Sequence, residues 1–281
     1  MNFSTVELSM DGQVAHLQFN RPQAYNTMNR AFWREWPVAL EQVRNSHDIR
    51  VLVISSTGKH FSAGMDLEIF ADPDPRLFQG EPARRGEFIR RLVLELQGYF
   101  TQLERLRIPV LAAIQGGCIG GALDLICACD CRYCTQDAFF TVKETEIGMS
   151  ADLGTLQRMP KIINPGLARE LVYTARRLEA QEAQMHGLVN HVFTDSESLL
   201  SGVMDIARQI ASNSPVAVTG SKLMLNHARD HSVADSLEYM ATWQAGMFQQ
   251  ADLIEAFATK AQQRDSSFEP LLPLEPPMPE E

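Results

Sequence analysis

The chain is predicted to be an α/β protein with its ligand sites beyond the ends of parallel strands. Three observations predict this. VLVISS (51–56) and VLAAI (110–114) are short and almost wholly apolar, as strands buried on both faces are. Helix-period stretches stand between them. Each apolar run leads into a Gly-bearing loop, the layout in which loops at strand ends carry ligands.

In chain order, residues 3–20 read as a strand pair turning at Asp11-Gly12, with VAHLQF as its second strand. Residues 29–46 read as an amphipathic helix, because Phe32, Trp33, Trp36, Leu40 and Val43 recur at helical spacing. Pro37 inside it is expected to bend or break it, having no N–H to donate. After the 51–56 strand, TGKHFSAGMD is a loop and LEIF opens a helix. Residues 72–86, rich in Pro, Arg and Gly, are expected to form a mobile surface segment. A long helix follows over 87–106. Pro109 opens the strand 110–114, and the glycine pairs 116–117 and 120–121 come next. A helix from Ala122 carries Asp124 on its first turn. After residue 195 strand signals stop, and helices are expected at 197–212, 215–230 and 233–263. The division is therefore a core over 1–195, a helical region over 196–265 and a Pro- and Glu-rich tail over 266–281, expected to be disordered. Leu237, Met240, Trp243 and Met247 in the helical region need cover, which either packing on the chain's own core or a subunit interface would give.

The 281 residues suffice for a large core, and 45% apolar with 21% charged residues is ordinary for a globular protein. A net charge of −10 argues against a nucleic-acid binder, which needs Lys and Arg to replace counterions. No run approaches the roughly 20 apolar residues of a membrane span. The N-terminus lacks a basic start and apolar run, and the C-terminus lacks Ser-Lys-Leu, so a cytoplasmic location is expected. All five cysteines fall between Cys118 and Cys134. With no second paired cluster and no histidine nearby in sequence, they read as small core residues in a reducing compartment rather than metal ligands.

Two loops are placed to present backbone N–H groups. Ser62-Ala63-Gly64-Met65-Asp66 meets one helix start, and Gly120-Gly121-Ala122 begins another. Helix N-termini carry unpaired N–H groups, and two of them on one carbonyl oxygen make an oxyanion hole. Neither loop has the GxGxxG or GxxxxGK[ST] spacing, which argues against NAD and ATP. Close by, three acids, Asp124, Glu144 and Asp152, stand in an apolar, Gly-rich window. Such surroundings make ionisation costly and raise a carboxyl pKa toward the range useful for proton transfer. Taken singly, Asp124 reads as a helix-dipole partner, Glu144 as a solvated charge and Asp152 as a helix cap.

Their joint spacing decides otherwise, because the chain resembles the crotonase (enoyl-CoA hydratase/isomerase) superfamily along nearly its whole length. The matching segments are NRPQAYNTMN (20–29), FSAGMDL (61–67), PVLAAIQGGCIGGALDLICACDCRYCTQDAFF (109–140), LGTLQRMPKII (153–163) and ARRLEAQEAQMHGLVNHVF (175–193). Within it, GGCIGGALDL, RYCTQDAFF, GTLQR and RDHSVADSLEY are most similar to the Δ3,5-Δ2,4-dienoyl-CoA isomerase branch. The resemblance implies a ββα spiral core with a C-terminal helical region that builds trimers, often paired into hexamers. It implies catalytic acids at Asp124, Glu144 and Asp152, where a typical hydratase has Glu, Glu and Gly. It puts the oxyanion-hole N–H groups on Met65 and Gly121. The acyl-CoA contacts would be Ala24, Ala63, Gly64, Met65, Asp66, Leu67, Gly120 and Gly121. No metal and no cofactor are implied, coenzyme A being part of the substrate.

The activity so implied is conversion of a 3,5-dienoyl-CoA to a 2,4-dienoyl-CoA in β-oxidation of unsaturated fatty acids. Glu144 would take the C2 proton and Asp152 would supply one at C6, with Asp124 tuning or orienting them. The nearest alternative is a 2-enoyl-CoA hydratase or Δ3,Δ2-enoyl-CoA isomerase on the same fold. An idle scaffold or nucleic-acid binder would tolerate loss of the acids, and the lack of a histidine beside them and of a phosphate loop argues against a metal-dependent hydrolase.

Overall fold

In the computed structural model, which describes residues 3–248 and 250–273, the chain begins with the expected antiparallel hairpin of β1 (Val6–Asp11) and β2 (Val14–Phe19). β3 (Val51–Ser56) and β4 (Val110–Ile114) then run parallel beside β2. The later strands are β5 (Gly117–Ile119), β6 (Cys131–Thr135), β7 (Phe139–Thr141), β8 (Leu178–Glu179) and β9 (His191–Phe193). The larger sheet has the order β1-β2-β3-β4-β6-β9 and the smaller one β5-β7-β8.

The chain passes repeatedly from the larger sheet to a second strand and then into a helix. β4 leads to β5 and to α4 (Gly121–Cys127), in the smaller sheet's case through the parallel pair β5–β7. The two preceding turns repeat this with single bridges in place of β5. After β3, Ser62 pairs with Cys118 before α2 (Leu67–Ala71). After β2, Met28 pairs with Met65 before α1 (Arg30–Asn45). These turns form a ββα spiral, and the bridges Met28–Met65 and Ser62–Cys118 link its successive second strands.

α1 is capped by Asn29, whose side chain accepts from Phe32 N. It continues through Pro37, where a bend or break was expected. Its buried face explains this. Trp36 is fully buried, stacks on Phe32, meets Phe19 and Phe100 edge-on, and donates Nε1–H to Tyr99 O at 3.2 Å. Packing on both sides of Pro37 outweighs the one lost hydrogen bond.

α3 (Pro82–Arg105) starts five residues before the expected position, and a 3₁₀ turn at Pro75–Leu77 precedes it. Pro82 suits a first helical position, and the Glu81 carboxylate accepts from Ala83 N and Arg84 N, both at 3.0 Å. The segment expected to be mobile over 72–86 is thus partly helix. After α4 come α5 (Thr155–Arg158), α6 (Pro165–Thr174) and α7 (Ala180–Met185), none of which the residue pattern marked.

α8 (Ser196–Ala211) buries Leu199, Val203, Ala207 and Ala211 on the sheet face presented by Val14, Val51, Val53, Leu111 and Ala113. Leu52 and Ile54 alternate to the opposite face and join the main core. That two-sided burial is why Val51–Ile54 of β3 is an unbroken apolar run. Residues 199–211 of α8 thus pack directly on the larger sheet. α9 (Pro215–Asp230) and α10 (Val233–Met247) follow, and the long helix expected over 233–263 divides at Phe248, with α11 (Gln250–Gln262) after it. Trp243 packs on Gly220 of α9, whereas Leu237, Met240 and Met247 stay exposed. Residues 266–273 lie against the body: Ser266 Oγ donates to Ser212 O, Arg50 Nη2 to Phe268 O and Arg107 Nη1 to Leu272 O. The rest of the tail expected to be disordered, 274–281, lies outside the described residues.

Lys222 of α9 fastens this helix to the core. Its buried Nζ donates to Leu103 O at 2.8 Å, Ile108 O at 2.9 Å and Asp130 Oδ2 at 2.7 Å. Lys222→Met keeps the stem but strands two carbonyls and a carboxylate. It is expected to destabilise the protein by about 3 kcal/mol, read from the denaturant midpoint. An unchanged midpoint would refute the fastening role.

Candidate active site

The site begins with a loop whose shape Asn26 and Ser62 enforce. Asn26 has φ +53° and is buried; its Oδ1 accepts from Arg21 N at 2.8 Å, and its Nδ2 donates to Thr57 O and His60 O. Ser62 Oγ donates to Asn26 O at 2.8 Å and accepts from Gly64 N at 3.1 Å. Ala63 N donates to Tyr25 O, Met28 N to Gly64 O and Asp66 N to Met28 O. Every N–H from Ala63 to Asp66 is thereby occupied except that of Met65, which finds no acceptor among the described residues.

Gly121 N is the second such donor. As the first residue of α4 it has no acceptor one turn back, and the helix dipole adds partial positive charge there. The two N–H groups are neighbours. A methyl group built on Gly121 falls 3.9 Å from Met65 N, and one built on Gly64 falls 3.2 Å from Gly121 N and 2.5 Å from Ile119 O. With φ +81° and that contact, position 64 accepts only glycine. Two converging free N–H groups can bind one oxygen that gains negative charge.

The acids stand around this pair. Asp124 is 1% exposed, and its Oδ1 accepts from Thr155 N at 2.5 Å. Burial pushes its pKa up to about 6, against the lowering effect of the Thr155 bond. Glu144 reaches Gly120, on which a built methyl would lie 3.1 Å from its Oε1. Its Oε2 is buried with no hydrogen-bond partner among the described residues. Burial, with the charges of Asp124 and Asp152, pushes Glu144 up to about 7. Asp152 is half-buried and its carboxyl is likewise raised by burial, while its backbone carbonyl accepts from Gln97 Nε2 at 2.6 Å. The three carboxyls feel one another's charge, so they titrate as a set.

The single-residue readings of these acids fail for specific reasons. Asp152 does not cap α5; that helix has Gly154 at its cap position, and Asp124 takes the Thr155 N–H instead. Glu144 is not simply solvated, since one oxygen is buried. Asp124 bonds across to another element rather than serving only its own helix end.

The expected acyl-CoA contacts divide. Ala63, Gly64, Met65, Gly120 and Gly121 line the two N–H donors, and Ala24 sits in the adjoining 3₁₀ turn Pro22–Ala24. The Asp66 side chain is otherwise engaged: Oδ2 accepts from Thr27 Oγ1 at 2.6 Å and pairs with Arg21 at 3.3 Å, while Oδ1 caps α2. Leu67 is 74% exposed. Asn26, Ser62, Gln97 and Thr155 were not singled out from sequence. An Asn at left-handed φ and a Ser beside a glycine are common loop residues, and only the fold shows what they bind.

The five cysteines are free, and burial raises each thiol above its ordinary pKa, which makes them unreactive. No group of three or more His, Cys, Asp or Glu side chains converges as a metal site among the described residues. No helix there is long and apolar enough to cross a membrane.

Comparison with known proteins gives a consistent result. Residues 9–270 match the family described as enoyl-CoA hydratase/isomerase. The chain is 45% identical over 267 residues to the mitochondrial Δ(3,5)-Δ(2,4)-dienoyl-CoA isomerase of Mus musculus, covering 94% of this chain and 82% of that protein. It is 41% identical over 271 residues to the peroxisomal Δ(3,5)-Δ(2,4)-dienoyl-CoA isomerase of Arabidopsis thaliana, covering 95% and 98%. Its structure resembles that of an enoyl-CoA hydratase from Bacillus anthracis, with a TM-score of 0.84, 29% identity and coverage of 94% and 99%.

The raised carboxyls have a consequence for stability. Glu144 moves from 4.5 to about 7 on folding, so the native state keeps a proton that the unfolded chain loses between those values. Its contribution is complete below the lower value and is lost as pH rises through the upper one. Glu144→Gln removes the ionisation. At pH 8 it is expected to melt about 2 °C or more above the unsubstituted protein, with no gain at pH 4. Superimposed melting curves at pH 8 would contradict the burial of this charge.

Proposed function

Because the chain belongs to the enoyl-CoA hydratase/isomerase family, we propose that its two free N–H groups and three acids convert a 3,5-dienoyl-CoA to a 2,4-dienoyl-CoA. The observation that carries this is the unpartnered Glu144 Oε2, buried beside two other acids and next to the glycine turn that supplies Gly121 N–H. A buried carboxylate oxygen without a protein donor is costly, and such sites persist where substrate or chemistry uses them.

In the proposed reaction the thioester oxygen accepts from Met65 N and Gly121 N. Glu144 removes a proton from C2, and the electron pair delocalises through the diene into the oxygen, giving a dienolate that the two N–H groups stabilise. Asp152 delivers a proton to C6 as the pair returns, so one C–H bond breaks, one forms and the double bonds shift. A Glu pKa of about 7 suits a base at neutral pH, and the upward shift of Asp152 suits a proton donor. A turnover leaves Glu144 protonated and Asp152 ionised, so a proton returns between them or through solvent. Asp124 orients the set through Thr155 and raises its neighbour Glu144 by its charge.

This chemistry requires no metal or redox cofactor, since the thioester itself acidifies C2. The exposed apolar residues of α10 and α11 support a trimer or a hexamer of paired trimers as the proposed assembly. The free, buried cysteines suit a reducing compartment, for which we propose the cytoplasm; the mouse and Arabidopsis relatives are named mitochondrial and peroxisomal.

The purified protein is expected to convert 3,5-dienoyl-CoA in a spectroscopic assay across a series of chain lengths. Asp152→Asn is expected to fold and to cut turnover at least about 100-fold. Rapid hydration of crotonyl-CoA with no dienoyl conversion would instead assign the 2-enoyl-CoA hydratase reading. Near-normal turnover by Asp152→Asn would remove that acid from the mechanism.

A further inference from the structure

The turn from Asp152 to Thr155 belongs to no strand, yet its register decides where two acids sit. It carries the Asp152 carboxyl and presents Thr155 N–H to Asp124. Its own carbonyls are held by side chains from outside it. Gln97 of α3 donates to Asp152 O at 2.6 Å, and Arg158 Nη1 donates to Leu153 O at 3.3 Å. The Arg158 guanidinium also lies across Gly154, which has φ +133°; a methyl built there would fall 1.8 Å from Nη1. Glycine is therefore the condition for the arginine to close over the turn.

Arg158 is held in turn by α3. Its Nη2 donates to Glu104 Oε2 at 2.7 Å and to Thr101 Oγ1 at 3.0 Å, and Thr101 Oγ1 donates to Gln97 O at 2.8 Å. Arg229 of α9 bonds the other Glu104 oxygen. Burial alone would raise Glu104, but Arg158 and Arg229 hold it below its usual value, so it is an anion. The Arg158 and Glu104 side chains are each 12% exposed. A buried ion pair is a poor source of net stability, because desolvation offsets attraction. What a planar, multiply bonded guanidinium supplies well is fixed geometry.

We propose that Arg158, anchored by Glu104, and Gln97 are positioning residues that hold the 152–155 turn so that the Asp152 carboxyl and the Thr155 N–H stay aligned with Glu144 and Asp124. The proposal rests on the acid roles assigned above. Gln97 and Arg158 bond the turn at its carbonyls, and Glu104 bonds Arg158. They act through the backbone of the turn, and Arg229 extends the same chain of bonds to the C-terminal helices.

The test compares Arg158→Gln, Arg158→Lys and Gln97→Met with the unsubstituted protein, by dienoyl-CoA kinetics and by amide hydrogen exchange. Misplacing an acid by a fraction of an ångström is expected to lower kcat by about 10- to 100-fold in Arg158→Gln, with KM kept within about threefold. Arg158→Lys is expected to recover part of that loss, and Gln97→Met, which leaves the ion pair intact, to lower kcat about tenfold. The Thr155 amide is expected to exchange at least about tenfold faster in each impaired variant, with β4 amides unchanged. Unchanged kcat and unchanged Thr155 exchange would overturn the proposal. So would faster exchange throughout β4, which marks a general loss of stability. If the unsubstituted protein fails to turn over the dienoyl substrate, the functional reading falls, and Thr155 exchange still decides the positioning.

Discussion

The site depends on one short hydrogen bond, from Thr155 N–H to the buried Asp124 carboxyl. It joins α4, which supplies Gly121 N–H, to the turn that carries Asp152. Asp124 has almost no contact with water, so without this donor its charged form would be strongly disfavoured. With it, the pKa settles at about 6 rather than higher. The same bond gives α5 its N-terminal partner, a service that helices usually obtain from a residue next to them in sequence. Because the partner comes from 31 residues away, the acids and the glycine turn are fixed as one unit.

The arrangement is dear in folding free energy, since three carboxyls crowd a partly apolar region and one oxygen has no partner among the described residues. The core compensates through features that hydrogen-bond none of these three carboxyls. The cluster of Phe19, Phe32, Trp36, Phe61 and Phe100 closes one face of the sheet, and α8 closes the other. Lys222 and the Glu104 network then tie α9 to α3 and to the strand entries. Rigidity at the site thus derives from layers on both sides of the sheet, as a preorganised pair of N–H donors requires.

The parts of this design visible in sequence are those with a local signature. The largely apolar 51–56 and the apolar 110–114 are strands because both faces are covered, and the period of Phe32, Trp36, Leu40 and Val43 is the period of α1. Short elements were not visible. β5, β7 and β8 have two or three residues each and exist because neighbours complete their hydrogen bonds. The early start of α3 was hidden because Pro and Gly suggest a loop, whereas Pro82 at a helix start and Glu81 as its cap favour a helix. Residues 266–273 look unstructured by composition, yet Arg50 and Arg107 capture their carbonyls from positions far away in sequence.

Asp152 shows the same limit at the level of function. In sequence it stands before Leu153-Gly154-Thr155 and reads as a cap. Capping needs its side chain to turn toward the first N–H groups of α5, but Asp124 already holds the Thr155 N–H, and Gly154 bears Arg158 on its open side. The Asp152 carboxyl receives no side-chain donor among the described residues, while its backbone carbonyl is secured by Gln97. A residue anchored by its backbone, with its carboxyl held by no other element, is suited to hold a proton, whereas one anchored by its carboxyl, as Asp124 is, is suited to hold a shape. On that ground the proposed mechanism gives the proton transfers to Glu144 and Asp152 and leaves Asp124 as their support.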